Sequence, residues 1–408
     1  MRVWLRTWGC RANAYDTAQV EAQLVRAGAT VASSAAEADV AVLNSCAVTG
    51  DAVADLRQGA RRAVREQPAL RTVIMGCAAA LDDGTLAALP GVTDVIAGGD
   101  VAAVAAALGL PRDERPAETQ TDARATLRVQ DGCDEHCTFC ATTLARGVNR
   151  SRPIDALVHE AAQLADSHPE IVLTGIHVGT YGRDIGTTLG HLLETLVARV
   201  PTVRFRLASV EATELCDRLV ALLRDGGTRV APYVHAPLQS GSDAVLRRMG
   251  RHWYTATSYA RAVQALTAGR PVFGLGADVM TGFPGECDAD HAATVALVRA
   301  LPFTHLHVFP WSPRPGTAAL RLGDAPPPAV ARDRAAELRA LGAERAATYA
   351  AGRAGGSADV VVVRGGGNPE GLTGDYLQVL CAEPMARRTR FEARLETRAD
   401  GRLVAFPR

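Results

Sequence analysis

The feature that most constrains the fold is a rhythm: short apolar segments alternate with helix-periodic ones, in two successive series. In residues 1–110, "RVWLRT", "ADVAVLN", "RTVIMG" and "VTDVIAG" read as buried strands, and "AYDTAQVEAQLVRAG" and "DAVADLRQGARRAVRE" carry helical periodicity between them. This alternation predicts a parallel sheet covered on both faces. A polar stretch with two prolines, "PRDERPAETQTDAR" at 111–124, has almost nothing to bury and is expected to be a linker. A second series, with a helical connector after "DAPPPA", occupies 125–345. Its strands are "TLRVQ", "EIVLTG", "VRFRLAS", "PYVHAPL", "PVFGLGADV" and "HLHVFPW". After the first, they recur about every 30–40 residues, the spacing of strand–helix units in a full or partial parallel barrel. Residues 346–408 read as short strands with glycine turns, "ADVVVV", "DYLQVLC", "RFEARLET" and "GRLVAF", which predicts a small β-barrel or sandwich. The expectation is therefore an α/β chain of three domains.

Cysteine placement carries the chemistry. "RVQDGCDEHCTFCATTLARG" puts Cys133, Cys137 and Cys140 in a C-x3-C-x2-C array, and the next cysteine is Cys216. Zinc ribbons use paired C-x2-C units that sum to four ligands. Three thiolates on one tight loop instead hold three irons of a four-iron cluster, leaving the fourth iron for a small molecule. A zinc site or a coincidental trio is the competing reading. A second trio is dispersed: Cys10 in "TWGCRAN", Cys46 in "LNSCAVT" and Cys77 in "IMGCAAA" each follow an expected strand. In a doubly wound sheet such carboxyl ends converge on one crevice, so a second cluster is expected there. Cys216, Cys287 and Cys381 show no such pattern.

Composition narrows the partners. The 44 cationic side chains are all arginine, matched by 44 acidic ones for a net charge of +0, so any polyanion site must come from local clustering. The first residues, "MRVWLRTWGC", do not read as a secretory leader. No run approaches the ~18 apolar residues of a membrane span. A soluble, cytoplasmic protein with no membrane partner is expected, its cysteines serving as ligands or core residues rather than disulfides.

Both trios in this order, followed by a small β-tail, resemble the methylthiotransferase family of radical S-adenosyl-L-methionine enzymes. "GCRAN", "NSCAVT" and "GCAA" look like its N-terminal cluster motifs, "QDGCDEHCTFC" like its radical motif, and "ARGVNRSR" like the basic stretch that follows. "LTGIHVGTYGRD", "HAPLQSGSDAVLRRMGRHW", "GADVMTGFPGE" and "HVFPWSPRPGT" look most like the branch acting on threonylcarbamoyladenosine beside the tRNA anticodon. The resemblance implies two 4Fe-4S clusters as cofactors. One, on Cys133, Cys137 and Cys140, binds adenosylmethionine and cleaves it with one electron, so that a hydrogen leaves carbon-2 of the adenine. The other, on Cys10, Cys46 and Cys77, delivers sulfur, and a second adenosylmethionine supplies the methyl group. It also implies tRNA and a reductant protein as partners, and a tail similar to the RNA-binding TRAM module.

The cofactor-binding candidates are Phe139 inside the cysteine loop, Gly175 in "LTGIH", Ser209 and Glu211 in "ASVE", Gln239 in "PLQSGSD" and Asp278 in "GADVM". Structural turn residues are an equal reading of each, because strand-end loops are rich in them. His177, His235, His305 and His307 read as core or loop histidines rather than ligands. For RNA, Arg57, Arg61 and Arg65 share one helix face, Arg146, Arg150 and Arg152 follow the radical motif, and Arg387, Arg388 and Arg390 lie in the tail. Arg247, Arg248 and Arg251 beside Trp253 form a further group. The alternatives are methylthiolation of isopentenyladenosine in tRNA, methylthiolation of a ribosomal-protein aspartate, and, of another class, a non-catalytic iron–sulfur electron carrier or RNA-binding scaffold.

Overall fold

The computed structural model describes residues 1–46, 50–113 and 115–408; positions 47–49 of the "NSCAVT" motif and residue 114 of the linker lie outside them. The first domain is a five-stranded parallel sheet of β1 (Arg2–Trp8), β2 (Thr30–Val31), β3 (Val40–Ser45), β4 (Arg71–Gly76) and β5 (Val92–Ala97). Their order is β2-β1-β3-β4-β5, the flavodoxin-like arrangement, whose direction of winding reverses between β1 and β3. Helices α1 (Arg11–Arg26), α2 (Gly50–Glu66), α3 (Cys77–Ala80) and α4 (Val101–Ala107) complete it. Val20 and Leu24 of α1 join Val104 of α4 against one face of the sheet. Leu56, Ala60 and Ala63 of α2 cover the other. Strand β3 is buried along its whole length, as expected of a central strand covered on both sides.

The second domain holds β6 (Ala125–Arg128), a short antiparallel pair β7 (Gln130–Asp131) and β8 (Arg150–Ser151), and β9 (Glu170–Thr174), β10 (Arg204–Leu207), β11 (Tyr233–His235), β12 (Gly274–Thr281) and β13 (His305–Pro310). Two parallel three-stranded sheets, β6-β9-β10 and β11-β12-β13, meet edge to edge through isolated parallel bridges at Phe205–Val230 and Ser209–His235. The result is one curved, open parallel sheet, the partial barrel that the strand spacing predicts. All carboxyl ends emerge on one side.

The chain then runs through a helix at Pro328–Gly352 into β14 (Ser357–Arg364), β15 (Glu370–Thr373), β16 (Gln378–Cys381), β17 (Arg390–Thr397) and β18 (Leu403–Pro407), which close as β14-β15-β16-β18-β17. β15 is absent from the sequence reading because "EGLT" is short and carries a glycine; β2 is two residues long and escaped for the same reason.

The 111–124 segment forms no helix or strand among its described residues, yet it is firmly docked. Arg26 donates to Asp113 at 2.7 Å, Ala117 and Ala123 are buried, and Gln120 pairs with the backbone of Thr126. Tail arginines hold it too: Arg387 Nη1 donates to Thr121 O at 2.7 Å, and Arg388 reaches the carbonyls of Gln120, Asp122 and Ser167. The segment, expected to have almost nothing to bury, buries Ala117, Ala123 and Gln120, and the adjoining domains bind its backbone.

Barrel and tail are joined by a buried charge cluster. Glu170 of β9 is inaccessible and accepts from Arg204 Nε at 2.6 Å and Arg206 Nε at 2.8 Å. The same guanidinium groups donate onward to Asp359 O, Gly374 O and Thr373 O in the tail. Burial alone would raise the Glu170 carboxyl, but the two arginines outweigh it and hold it well below the usual range. Its stabilisation is therefore complete above the ordinary glutamate range and fades only as pH falls toward the depressed folded value. Glu170→Ala strands the buried Arg206 cation and leaves Arg204 with Asp359 alone, and should cost about 3–5 kcal/mol in chemical denaturation, with loss of amide-exchange protection beginning at the tail.

Candidate active site

The C-x3-C-x2-C loop is a hairpin closed by β7 and β8. Gly132 sits at φ +71°, and a Cβ there would lie 1.8 Å from Val148 O, so no other residue fits. Gln130 fastens the loop to the barrel. Its Nε2 donates to Gly132 O at 2.6 Å and Asn149 Oδ1 at 2.7 Å, and its Oε1 accepts from the N–H groups of Ile176 and His177 after β9. The Cys140 N–H donates to Cys137 O at 3.1 Å, closing a turn between the second and third cysteines. Phe139 points into an apolar cluster, edge-on to Phe283 at 6.3 Å.

Donors surround the three sulfurs. The Thr142 N–H points at Cys140 Sγ (3.4 Å), Arg251 Nη1 at Cys137 Sγ (3.6 Å) and His177 Nδ1 at Cys133 Sγ (3.6 Å). Burial pushes the Cys137 thiol up to about 12, with the Arg251 cation opposing it. Arg251 is itself buried, paired with Glu211 Oε1 at 2.5 Å and Tyr254 Oη at 2.8 Å. His177 Nε2 engages Glu214 at 3.0 Å, which leaves Nδ1 facing the sulfur. Three soft donors on one loop, each met by an outer hydrogen-bond donor, fit an iron–sulfur cluster.

The second trio gathers at the switch point of the first domain. Cys10 caps the N-terminus of α1 after β1, Cys46 follows β3, and Cys77 opens α3 after β4. Gly76 adopts φ +100°, and a Cβ there would lie 2.3 Å from Asn44 Oδ1. Asn13 bonds Asn44 at 2.7 Å and accepts from Cys10 Sγ at 3.1 Å. A hydrogen bond with Cys46 brings Cys10 down to about 6, against the desolvation by its neighbours. Three thiols from three strand ends fit a second cluster by the same test of donor chemistry.

Arg146 links the two. It ends helix α5 (Thr142–Arg146), which begins two residues after Cys140, yet its Nε donates to Cys77 Sγ at 3.2 Å and its Nη2 to Asp16 Oδ2 at 2.8 Å. Asp16 is fully buried in α1 and also holds Arg128 at 2.5 Å. One cavity of about 370 Å³ opens between the domains, with Cys10, Gly175, Ser209 and Asp278 in its wall.

The structure thus brings together four sequence-predicted residues and qualifies others. A Cβ at Gly175 would lie 2.7 Å from Gln130 Oε1, so its missing side chain is required by loop packing as well as by the cavity. Glu211 is committed to Arg251 through Oε1, while its buried Oε2 has no partner among the described residues. Gln239 holds a left-handed backbone (φ 63°), and its buried Oε1 is likewise unpartnered. Asp278 lies between His235 Nε2 (3.1 Å) and His307 Nδ1 (2.9 Å).

Several arginines expected to face RNA do not. Arg146 is buried in the ion pair with Asp16. Arg152 donates to Glu160 at 2.6 Å and to Tyr15 Oη. Arg251 is beside Cys137, and Arg248 donates to Pro284 O and Leu322 O. Arg388 clamps the linker and Arg390 pairs with Asp359 at 2.7 Å, whereas Arg387 donates to Thr121 O with its side chain still exposed. Each neutralises or satisfies an internal group, a use that charge clustering in sequence does not distinguish from a surface patch. Arg61, Arg65 and Arg150 are exposed, and Arg57 is half-buried with a bond to Thr85. His177 was missed as a site residue, although its place just after β9 is a usable signal; Arg11 and Tyr376, also in the cavity wall, gave none.

A parallel partial barrel presenting three thiols at its carboxyl ends is the architecture of a radical S-adenosylmethionine enzyme. Residues 127–298 match the Radical SAM superfamily, and residues 2–98 match the Uncharacterized protein family UPF0004. The chain is 35% identical over 371 residues to a threonylcarbamoyladenosine tRNA methylthiotransferase of Bacillus subtilis, covering 85% of this chain and 82% of that one. It is 33% identical to the Thermotoga maritima protein of the same name (81% and 80% covered) and 31% identical to a tRNA-2-methylthio-N(6)-dimethylallyladenosine synthase of Paracoccus denitrificans (94% and 92%). In fold it is similar to a radical S-adenosylmethionine methyltransferase of Kitasatospora setae, solved with cobalamin and a 4Fe-4S cluster (TM-score 0.59, 14% identity, 78% and 76% covered). The chain belongs to the radical S-adenosylmethionine methylthiotransferase family, in the threonylcarbamoyladenosine branch. It is an enzyme of the sulfur-inserting kind, with iron–sulfur and adenosylmethionine binding.

Arg146→Gln should expose the link between the loops. Losing the charge leaves Asp16 with Arg128 alone and frees α5 from Cys77, so a stability loss of about 3 kcal/mol in thermal denaturation is expected.

Proposed function

We propose that the enzyme inserts a methylthio group at carbon-2 of threonylcarbamoyladenosine adjacent to the tRNA anticodon, using two 4Fe-4S clusters and two molecules of adenosylmethionine. One observation carries this reading: two separate trios of thiols follow strands of adjoining domains, Arg146 reaches from the helix after the first trio to Cys77 of the second, and Cys10 lines a cavity together with the barrel strand ends bearing Gly175, Ser209 and Asp278. An electron carrier needs no such chamber beside its thiols.

When bound, the cluster on Cys133, Cys137 and Cys140 supplies the electron for cleaving adenosylmethionine, and that on Cys10, Cys46 and Cys77 the sulfur chemistry. The chain's own residues do the rest. Gln130 sets the first loop against β9; Arg251, His177 and the Thr142 N–H stabilise negative charge on the sulfurs. On the strand-end loops, Glu211 and Gln239 offer their unpartnered Oε atoms as acceptors for the ammonium or ribose of adenosylmethionine, Gly175 and Ser209 line the cavity, and Phe139 backs the cysteine loop. Arg146 and Asp16 keep the two loops in register, and the enclosing domains exclude water. The exposed face of α2 with Arg61 and Arg65, extended by Arg57 and Arg150, is the RNA-facing surface of this reading. A reductant protein is its remaining partner. No helix among the described residues is long and apolar enough to cross a membrane.

Anaerobic reconstitution should yield about eight irons per chain. Cys133→Ala should keep about half and lose adenosylmethionine cleavage, whereas Cys46→Ala should keep cleavage and lose sulfur insertion. Mass spectrometry of tRNA nucleosides decides the substrate. A deletion strain should lack the methylthio form of threonylcarbamoyladenosine, and an unchanged nucleoside profile refutes the assignment.

A further inference from the structure

The cavity wall contains a cation that nothing so far uses. Arg11 opens α1, immediately after Cys10, and is half-buried. The structure gives its guanidinium one hydrogen bond, from Nη2 to Tyr376 Oη at 3.5 Å, and no carboxylate partner among the described residues. The carboxylate that shares this wall, Asp278, is already held between His235 and His307; burial opposes its charge, but their hydrogen bonds keep it ionised well below the usual range. Arg206, the other guanidinium present, is bonded to Glu170, which it shares with Arg204. Arg11 is therefore the guanidinium of this wall with no carboxylate bonded to it among the described residues.

Tyr376 is placed with equal specificity. It comes from the turn between β15 and β16 of the tail, in a left-handed conformation (φ 72°) that a bulky residue adopts only when its surroundings impose it. Those surroundings are visible. Its ring stacks on Tyr233 at 4.4 Å and 18°, and Arg206 lies over both rings at 5.3 and 5.5 Å. All three domains thus converge on this end of the cavity.

Such a half-desolvated guanidinium discriminates by charge. A dimethylallyl substituent is a hydrocarbon and would bury Arg11 unpaired; a threonylcarbamoyl substituent ends in a free carboxylate that a guanidinium fork binds in two places. We propose that Arg11, with Tyr376 Oη beside it, anchors the free carboxylate of the threonyl arm and so selects a carboxylated adenine substituent over a hydrocarbon one. This rests on the threonylcarbamoyladenosine reading and adds the residues that enforce it. Rejection of the wrong substrate follows from leaving a site group unpaired, the stronger route to selectivity.

The test compares two anticodon stem-loop RNAs with the reconstituted enzyme, one bearing threonylcarbamoyladenosine and the other its threonyl carboxamide. The wild-type enzyme should show a KM about tenfold or more higher for the carboxamide, the factor expected for losing one charge-assisted contact. Arg11→Gln should raise KM for the acid to that level and make acid and amide equivalent, and Arg11→Lys should restore part of the difference. Equal KM values for acid and amide in the wild-type enzyme overturn the proposal, and that comparison holds even if an Arg11 variant loads its neighbouring cluster poorly. Turnover of RNA bearing dimethylallyladenosine, with none of the acid, overturns the parent reading and this proposal together; turnover of acid and amide alike overturns only the proposal.

Discussion

Asp16 is a carboxylate buried in the first helix of one domain, held by two guanidinium groups, Arg128 and Arg146, from the next. Neither side tolerates burial alone: an unpaired carboxylate or guanidinium at this depth costs several kcal/mol, so each domain completes the other. Because Arg146 also reaches Cys77, the same contact that docks the domains sets the spacing of the two cysteine loops. The link is short, charged and inaccessible to water, which makes the relative placement of the loops a property of the folded core rather than of a flexible hinge.

The same device recurs at the other end of the barrel. Glu170, Arg204 and Arg206 join the barrel to the tail through carbonyls that only a closed β-barrel presents at that position. Arg206 goes on to support Tyr233 and Tyr376, so the tail contributes to the cavity wall as well as carrying a surface of its own. Lysine-free composition suits these roles. Each buried guanidinium serves a carboxylate and one or two further acceptors at once, which a single ammonium point charge does less well.

Much of the architecture was legible from pattern. The apolar segments of both α/β series became strands, because central strands buried on both faces leave continuous Val, Ile and Leu runs. The dispersed cysteines Cys10, Cys46 and Cys77 were identifiable as a set because each follows a strand of one parallel sheet. The arginines were not legible. Arg146, Arg152, Arg251 and Arg388 look like surface clusters in one dimension, and their carboxylate, sulfur and carbonyl partners lie 8 to 268 residues away. His177 was read as a filler histidine because its partner, Cys133, is 44 residues distant.

The sequence by itself determined the parallel α/β layout, the all-β tail and the two sets of three thiols, since hydrophobic period and cysteine position are local properties of the chain. Only the tertiary structure decided which cations are internal, that Arg146 joins the loops, and that Arg11, Asp278 and Tyr376 from three domains share one chamber. The physical reason is that burial of a charge is settled by what packs against it, and those partners are brought together by folding rather than by proximity in sequence.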